Sequence, residues 1–489
     1  MNNKKPFYLT TTLPYINAPL HMGHALEFIR ADSIARYKKL LGYDVYFNSG
    51  TDEHGVKIFE KAKEEGLDVQ DFLNKNFAIF KEQIKIFGLT EDINFIRTTD
   101  EKHIKIAQSF WTKVFENGYI YKKNYTAKYC AGCESEKTDS EIENGRCKDH
   151  PNMELKEINE QNYFFKYSAF GDKLMKFYEN NPNFVIPEFR LNEIKNFVNN
   201  GLQDFSISRL KEKMPWGIPV PNDDTQVMYV WFDALTNYVS TLADENVSSI
   251  DDLLKSEKFI KYWQNGTPTQ YCGKDNTRFQ SAMWQAMLMA AGLPNSHQIV
   301  VNGFVTGEGG VRMSKSLGTS YDPRDVVEEY GIDALRFFML KEISSFEDSP
   351  FTIERFKDAY NSGLANGIGN LTSRVMTMAI NYGVKLNEEE LSINYYTEEI
   401  PGLESFDINK FINKIWLDLR GLDEYIQKTE PFKKIKVDEE GAKNDVHYLL
   451  LNLYKNSLAL EPFLPETSKK IQELIKENKK PEAPLFLRK

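Results

Sequence analysis

Residues 6–55, PFYLTTTLPYINAPLHMGHALEFIRADSIARYKKLLGYDVYFNSGTDEHG, decide the fold. The apolar run PFYLTTTLPY predicts a buried strand, and Pro14 and Pro19 punctuate the loop after it. In HMGHALEFIRADSIARYKKLLG, residues Leu26, Ile29, Ile34, Tyr37 and Leu41 recur close to the helical period, and Gly42 marks the stop. DVYFNSGTDEHG then reads as a short strand entering a polar, glycine-bounded loop. Strand, helix and strand in that order predict an α/β parallel sheet, whose ligands bind beyond the carboxyl ends of its strands.

The whole chain has 489 residues, with 61 Lys plus Arg against 71 Asp plus Glu and a net charge of −10. That length suits about three domains. A content of 41% hydrophobic and 27% charged residues excludes disordered, collagen-like and membrane chains. The acidic balance disfavours a non-specific nucleic-acid coat protein but leaves room for a local basic patch. The first 20 residues lack the apolar core of a signal peptide, and AMLMAAGL at 286–293 is far too short to span a bilayer. Four cysteines cannot build a disulfide framework, which predicts a reducing, cytoplasmic setting.

Outward from the opening unit the texture changes. Residues 118–225 are rich in Asn, Glu, Lys and Pro, and end at the junction MPWGIPVPNDDT, 214–225. Strand-like VMYVWF at 227–232, TQYCG at 269–273 and HQIVVNGFVT at 297–306 follow, so the sheet is expected to resume after an insertion. From about residue 351 helices are expected almost throughout, with Val446, Leu449, Leu450 and Leu453 forming an i, i+3, i+4, i+7 stripe.

Three cysteines and a histidine fall within the insertion. Cys130-Ala-Gly-Cys133 precedes Cys147-Lys-Asp-His150 by 13 intervening residues. Two knuckles of this spacing offer four ligands to one tetrahedral ion and leave no open position, which predicts a structural zinc site.

His21-Met22-Gly23-His24 opens the predicted helix. At i, i+3 both imidazoles share one face of a helix N-terminus, where backbone N–H groups and the dipole favour anions. Gly23 allows a base or phosphate to approach the backbone. The alternative is a pair of exposed capping histidines. Nearly 300 residues on, GEGGVRMSKSLG at 307–318 supplies Arg312, Lys315 and two serine hydroxyls as donors for a polyphosphate, without a P-loop pattern anywhere in the chain. A histidine pair after the first strand and a lysine loop after a later one together frame a nucleotide.

With these two signatures the chain resembles the class I aminoacyl-tRNA synthetases, in particular the methionyl-tRNA synthetase family. PLHMGH is similar to that family's HIGH signature and RMSKS to its KMSKS signature. The likeness continues through FNSGTDEHG, RLNEIKNFVNNGLQDFSISR, WGIPVP, YVWFDALTNY and LANGIGNLTSR. It implies a Rossmann-like parallel-sheet catalytic domain, split by a zinc-binding connective peptide and followed by an α-helical anticodon-binding domain. The implied divisions are 1–117 and 226–320 for the catalytic halves, 118–225 for the connective peptide, 321–355 for a stem-contact linker and 356–489 for the helical domain.

The resemblance further implies activation of L-methionine by ATP to methionyl-adenylate, then transfer to the terminal adenosine of tRNA(Met). Catalysis by positioning and charge stabilisation would fall to His21, His24, Arg312 and Lys315, with ATP held by His21, Gly23, His24 and Lys315 and accompanied by Mg2+. Methionine would meet Leu13, Tyr15, Asp52, Trp231, Ala234, Leu235, Tyr238 and Gln280, with Asp52 on its ammonium. The family usually has histidine at Gln280 and an apolar residue at Asn276. Asn370, Arg374 and Phe432 match its readers of the CAU anticodon, Phe432 standing where tryptophan is usual. From Pro431 onward Lys plus Arg outnumber Asp plus Glu by 12 to 9, a bias opposite to the whole chain. The chain ends at PLFLRK without the dimerising domain some relatives carry, so a monomer is expected. The rival expectations are a cysteinyl-like synthetase and a catalytically silent tRNA-binding paralogue.

Overall fold

The structure is a computed structural model that describes residues 4–133, 135–137, 141–311, 313 and 321–489. Its centre is a six-stranded sheet built from β1 (Pro6–Thr10), β2 (Asp44–Thr51), β3 (Asn94–Arg97), β4 (Val185–Ile186), β5 (Thr269–Gly273) and β6 (Gln298–Asn302). The strands lie in the order β4-β6-β5-β1-β2-β3, and every pairing is parallel. Elements cover both faces of such a sheet, which explains why Phe7, Tyr8, Leu9 and Thr10 are all buried without alternation. The strand order reverses between β1 and β5. That is the switch point at which an open α/β sheet forms its ligand crevice.

Helix α1 (Met22–Leu40) starts beside this point and ends where Gly42 adopts a φ of 85°. Its apolar stripe is buried as the periodicity predicts, but so are Glu27, Arg30, Asp32 and Lys38. These charges are tolerable because each is paired. The Arg30 guanidinium donates to Asn302 Oδ1 and to the carbonyls of Ile343, Ser344 and Ser345 at 2.6–3.1 Å. Asp32 meets Arg336 at 2.8 Å, with both side chains fully buried.

Two features differ from the sequence expectation. The segment 118–225 is not wholly an insertion, since its Val185–Ile186 forms the edge strand β4 beside β6. VMYVWF is strand only to Met228, in Asp223–Met228, and turns helical over Val230–Ala234. A short apolar run fits a buried strand and a buried helical turn equally well, and tertiary packing chose the second. The rest of the insertion carries a long antiparallel pair, Ile120–Cys130 with Lys156–Phe165. It also holds a small sheet of Ile142–Glu143, Arg146–Cys147 and His150–Glu154.

The C-terminal part is helical as expected, with α2 (Asn370–Tyr382), α3 (Ile408–Thr429), α4 (Glu439–Ala459) and α5 (Pro465–Glu477) as its main members. Val446, Leu449, Leu450 and Leu453 are all buried. This part shares one hydrophobic core with α1. Arg336 donates to the carbonyls of Pro462 and Phe463 while bound to Asp32, and Lys38 reaches Glu404 at 2.6 Å. Leaving either Arg336 or Asp32 buried without the other costs about 3–5 kcal/mol. The helical part is thus tied firmly to the first helix of the sheet. Among the described residues, no helix is long and apolar enough to cross a membrane.

Candidate active site

His21 is the N-cap of α1. Its Nδ1 accepts the Gly23 N–H at 3.1 Å, and His24 Nδ1 accepts the His21 N–H at 3.2 Å, a reciprocal capping box. The two rings stack with centroids 3.8 Å apart. A Cβ on Gly23 would lie 3.0 Å from the His21 ring, so the glycine also makes room for the stack. Burial, then the neighbouring His21, hold His24 well below the ordinary imidazole pKa. With each Nδ1 accepting, the proton of each neutral ring sits on Nε2. The pair is therefore both a cap and a set of two N–H donors at a helix N-terminus, suited to phosphate oxygens. One turn on, Glu27 Oε1 accepts the N–H and the hydroxyl of Thr12 at 2.7 and 2.6 Å. Burial raises the Glu27 carboxyl to about 7 against the pull of those hydrogen bonds. Sequence reasoning missed Glu27, whose only signal was a charge on the buried side of a helix.

The loop after β1 runs beside the end of β2. Tyr15 bridges Asp52 in parallel, with Asp52 N–H donating to Pro14 O at 3.0 Å and Ile16 N–H to Asp52 O at 3.2 Å. Two of the expected amino-acid contacts, Tyr15 and Asp52, are thereby brought together. Behind them, Asp233 links two histidines: His54 Nδ1 lies 2.7 Å from Oδ2 and His103 Nε2 lies 2.8 Å from Oδ1. Burial pushes the Asp233 carboxyl up, but His54 and His103 outweigh it and hold it below the ordinary value. Asp233 sits in the helical turn Val230–Ala234 with Trp231 and Ala234, two more expected contacts. Trp231 lies flat on Phe279 with ring centroids 3.9 Å apart. Leu235 and Tyr238 are buried in the same hydrophobic cluster, and Leu13 is half-buried. Gln280 is fully buried and donates through Nε2 to the Tyr238 hydroxyl.

The cysteine cluster converges as the spacing predicts. One ligand atom from each of Cys130, Cys133, Cys147 and His150 lies within 4.8 Å of all the others. Cys133 Sγ is 3.5 Å from Cys147 Sγ and 3.2 Å from His150 Nδ1, and the cysteines are free thiols. Ligands about 2.0–2.3 Å from a central ion lie at comparable mutual distances, so the donor set fits zinc. A Cβ on Gly132 would come within 2.5 Å of the His150 ring, so only glycine lets the two knuckles close. The cluster also touches the segment that follows β2. Lys57 donates to Gly132 O at 2.7 Å and lies 5.6 Å from the centre of the Tyr15 ring. Trp216 Nε1 donates to Glu53 O at 2.7 Å, beside Asp52.

On α2, Asn370 is exposed and Arg374 is held by Asp423 at 2.6 Å. Phe432 is 47% exposed on a short helix, Pro431–Lys434, anchored by Lys434 on Asp445. Arg312 and Lys315 lie outside the described residues.

A parallel sheet with a histidine stack at its switch point, an insertion holding four metal-type ligands and a helical C-terminal part define a class I tRNA synthetase. The sequence model of the family described as tRNA synthetases class I (M) matches residues 7–159 and 141–376, and the chain belongs to this family. The methionine–tRNA ligase of Caldanaerobacter subterraneus subsp. tengcongensis is 38% identical over 488 residues, covering 96% of this chain and 74% of its own. That of Clostridium tetani is 37% identical, with the same shares covered. Mycobacterium tuberculosis methionyl-tRNA synthetase in complex with methionyl-adenylate superposes with a TM-score of 0.87 at 32% identity, covering 96% of this chain and 94% of that one.

Proposed function

We propose that the chain is an ATP-dependent methionine–tRNA ligase, which activates L-methionine to methionyl-adenylate and transfers it to the 3′-terminal adenosine of tRNA(Met). The observation that carries the reading is the His21–His24 stack at the start of α1, set at the turning point of the strand order. The methionine carboxylate attacks the α-phosphate, so the protein needs no covalent nucleophile. Its work is to place the reactants and stabilise phosphoryl charge. His21 and His24 serve this as Nε2–H donors, and Lys315 and Arg312 attend the departing pyrophosphate, with Mg2+ accompanying the ATP.

Asp52 takes the substrate ammonium, while Leu13, Tyr15, Trp231, Ala234, Leu235, Tyr238 and Gln280 surround its side chain. Cys130, Cys133, Cys147 and His150 hold one structural zinc ion, which cross-links the two knuckles when bound. Asn370, Arg374 and Phe432 meet the CAU anticodon. Arg374 is poised for this by Asp423, and Phe432 offers an exposed ring face for stacking. The reading takes the protein as a cytoplasmic monomer, with its cysteines reduced and available to the metal. Charging assays test the whole assignment: a CAU-anticodon transcript should accept methionine, and a transcript with an altered anticodon should not. Equal charging of both would refute the anticodon role.

A further inference from the structure

Behind Tyr238 runs a chain of buried amides and one hydroxyl whose direction is set at its far end by backbone groups. The Ser296 N–H donates to Gln285 Oε1 at 3.1 Å. A backbone N–H can only donate, so that atom must be the oxygen of the amide. Gln285 Nε2 then donates to Gln280 O at 2.9 Å and to Ser296 Oγ at 3.1 Å. Having accepted there, the Ser296 hydroxyl donates to Gln270 Oε1 at 2.5 Å. Gln270 Nε2 donates to Gln280 Oε1 at 2.9 Å, and Gln280 Nε2 donates to the Tyr238 hydroxyl. All five side chains are at most 2% exposed, so solvent does not offer alternative partners.

Turning Gln270 alone would set its oxygen against the Gln280 oxygen, and turning Gln280 alone would set its nitrogen against the Gln270 nitrogen. Turning both would leave the Ser296 hydrogen without its acceptor. The polarity is therefore locked, and it delivers Tyr238 as an acceptor toward Gln280. Having accepted from Gln280, the Tyr238 hydroxyl keeps its own hydrogen to donate in another direction. A thioether sulfur accepts hydrogen bonds and a methylene does not.

We propose that Gln270, Gln285 and Ser296 are positioning residues for amino-acid recognition, because their hydrogen-bond chain directs the Tyr238 hydroxyl proton to the substrate thioether. The inference rests on the reading that this pocket takes methionine. It adds a source of selectivity between a sulfur and an isosteric methylene, which apolar packing distinguishes poorly. The three residues act from β5, from the helix Trp284–Ala291 and from the loop before β6.

The test compares methionine with norleucine, in which a methylene replaces the sulfur. Methionine-dependent ATP–pyrophosphate exchange gives the KM for methionine and for ATP, and norleucine is measured as a competitive inhibitor. Gln270→Met removes the amide that orients Gln280, and Ser296→Ala removes the donor that orients Gln270. The expected result is a rise of about tenfold in methionine KM for Gln270→Met and a smaller rise for Ser296→Ala. Norleucine affinity and ATP KM should stay within about twofold of the parent. A parallel loss for methionine and norleucine, or an unchanged methionine KM in either folded variant, overturns the inference. Absence of methionine-dependent exchange in the parent protein would instead overturn the functional reading beneath it.

Discussion

Asp233 and His54 meet at 2.7 Å in the protein interior, and that contact joins the loop bearing Asp52 to the helical turn bearing Trp231 and Ala234. His103 holds the other carboxylate oxygen at 2.8 Å. Asp233→Asn leaves one imidazole facing an amide nitrogen in place of an acceptor. We expect a loss of about 2 kcal/mol in stability, with methionine KM raised more than ATP KM. Because the Asp233 carboxyl is held below its ordinary value, its contribution is present above the unfolded pKa and is lost as pH falls through the folded one. Acid titration of folding should therefore be shallower in the variant at pH values under about 4. Equal slopes would contradict this pairing.

Glu27 gives the opposite sign. Its carboxyl rises from 4.5 to about 7 in the folded chain, with burial as the leading cause. The folded state therefore holds the proton more tightly, and this stabilisation is full below pH 4.5 and lost as pH rises through 7. The span corresponds to about 3 kcal/mol at one buried site. Glu27→Gln should remove this component, seen as a flatter dependence of denaturant midpoint on pH between 4.5 and 7 than in the parent. Parallel pH profiles would show that Glu27 is already ionised there.

How much of this was legible in the sequence differs between the two halves of the site. The His21–His24 pair and the cysteine cluster were readable because their partners are near neighbours in the chain, and local spacing carries the geometry. Asp233 with His54 and His103 was not readable, because the three meet across 179 and 130 residues of separation. Nothing periodic marks such a contact. The two-residue strand Val185–Ile186 was invisible for a related reason, since it is defined only by its neighbour β6. The amide chain behind Tyr238 likewise depends on tertiary placement, although Gln280, where the family usually has histidine, singled out one of its members.

The zinc assignment predicts one ion per chain and a coupling to the catalytic half. Cys147→Ser, or chelation of the parent, should remove the metal and loosen the knuckle that Lys57 grips at Gly132 O. Metal analysis and methionine KM should then change together, because Lys57 also lies against Tyr15. Full activity in a protein shown to be free of zinc would refute the cluster's structural role.

Arg374 separates recognition of RNA from amino-acid activation. Arg374→Ala releases Asp423 at a partly exposed ion pair, which costs little in stability. Charging of tRNA should fall by about tenfold or more, while ATP–pyrophosphate exchange stays near the parental rate. Equal loss of both activities would count against an anticodon role.

The central claim is the activation of methionine at the crevice between β1 and β5, and amino-acid-dependent ATP–pyrophosphate exchange tests it most directly. With each of the twenty amino acids supplied singly, the purified chain should support exchange with methionine alone. Exchange with none of them, or with a different amino acid, would contradict it.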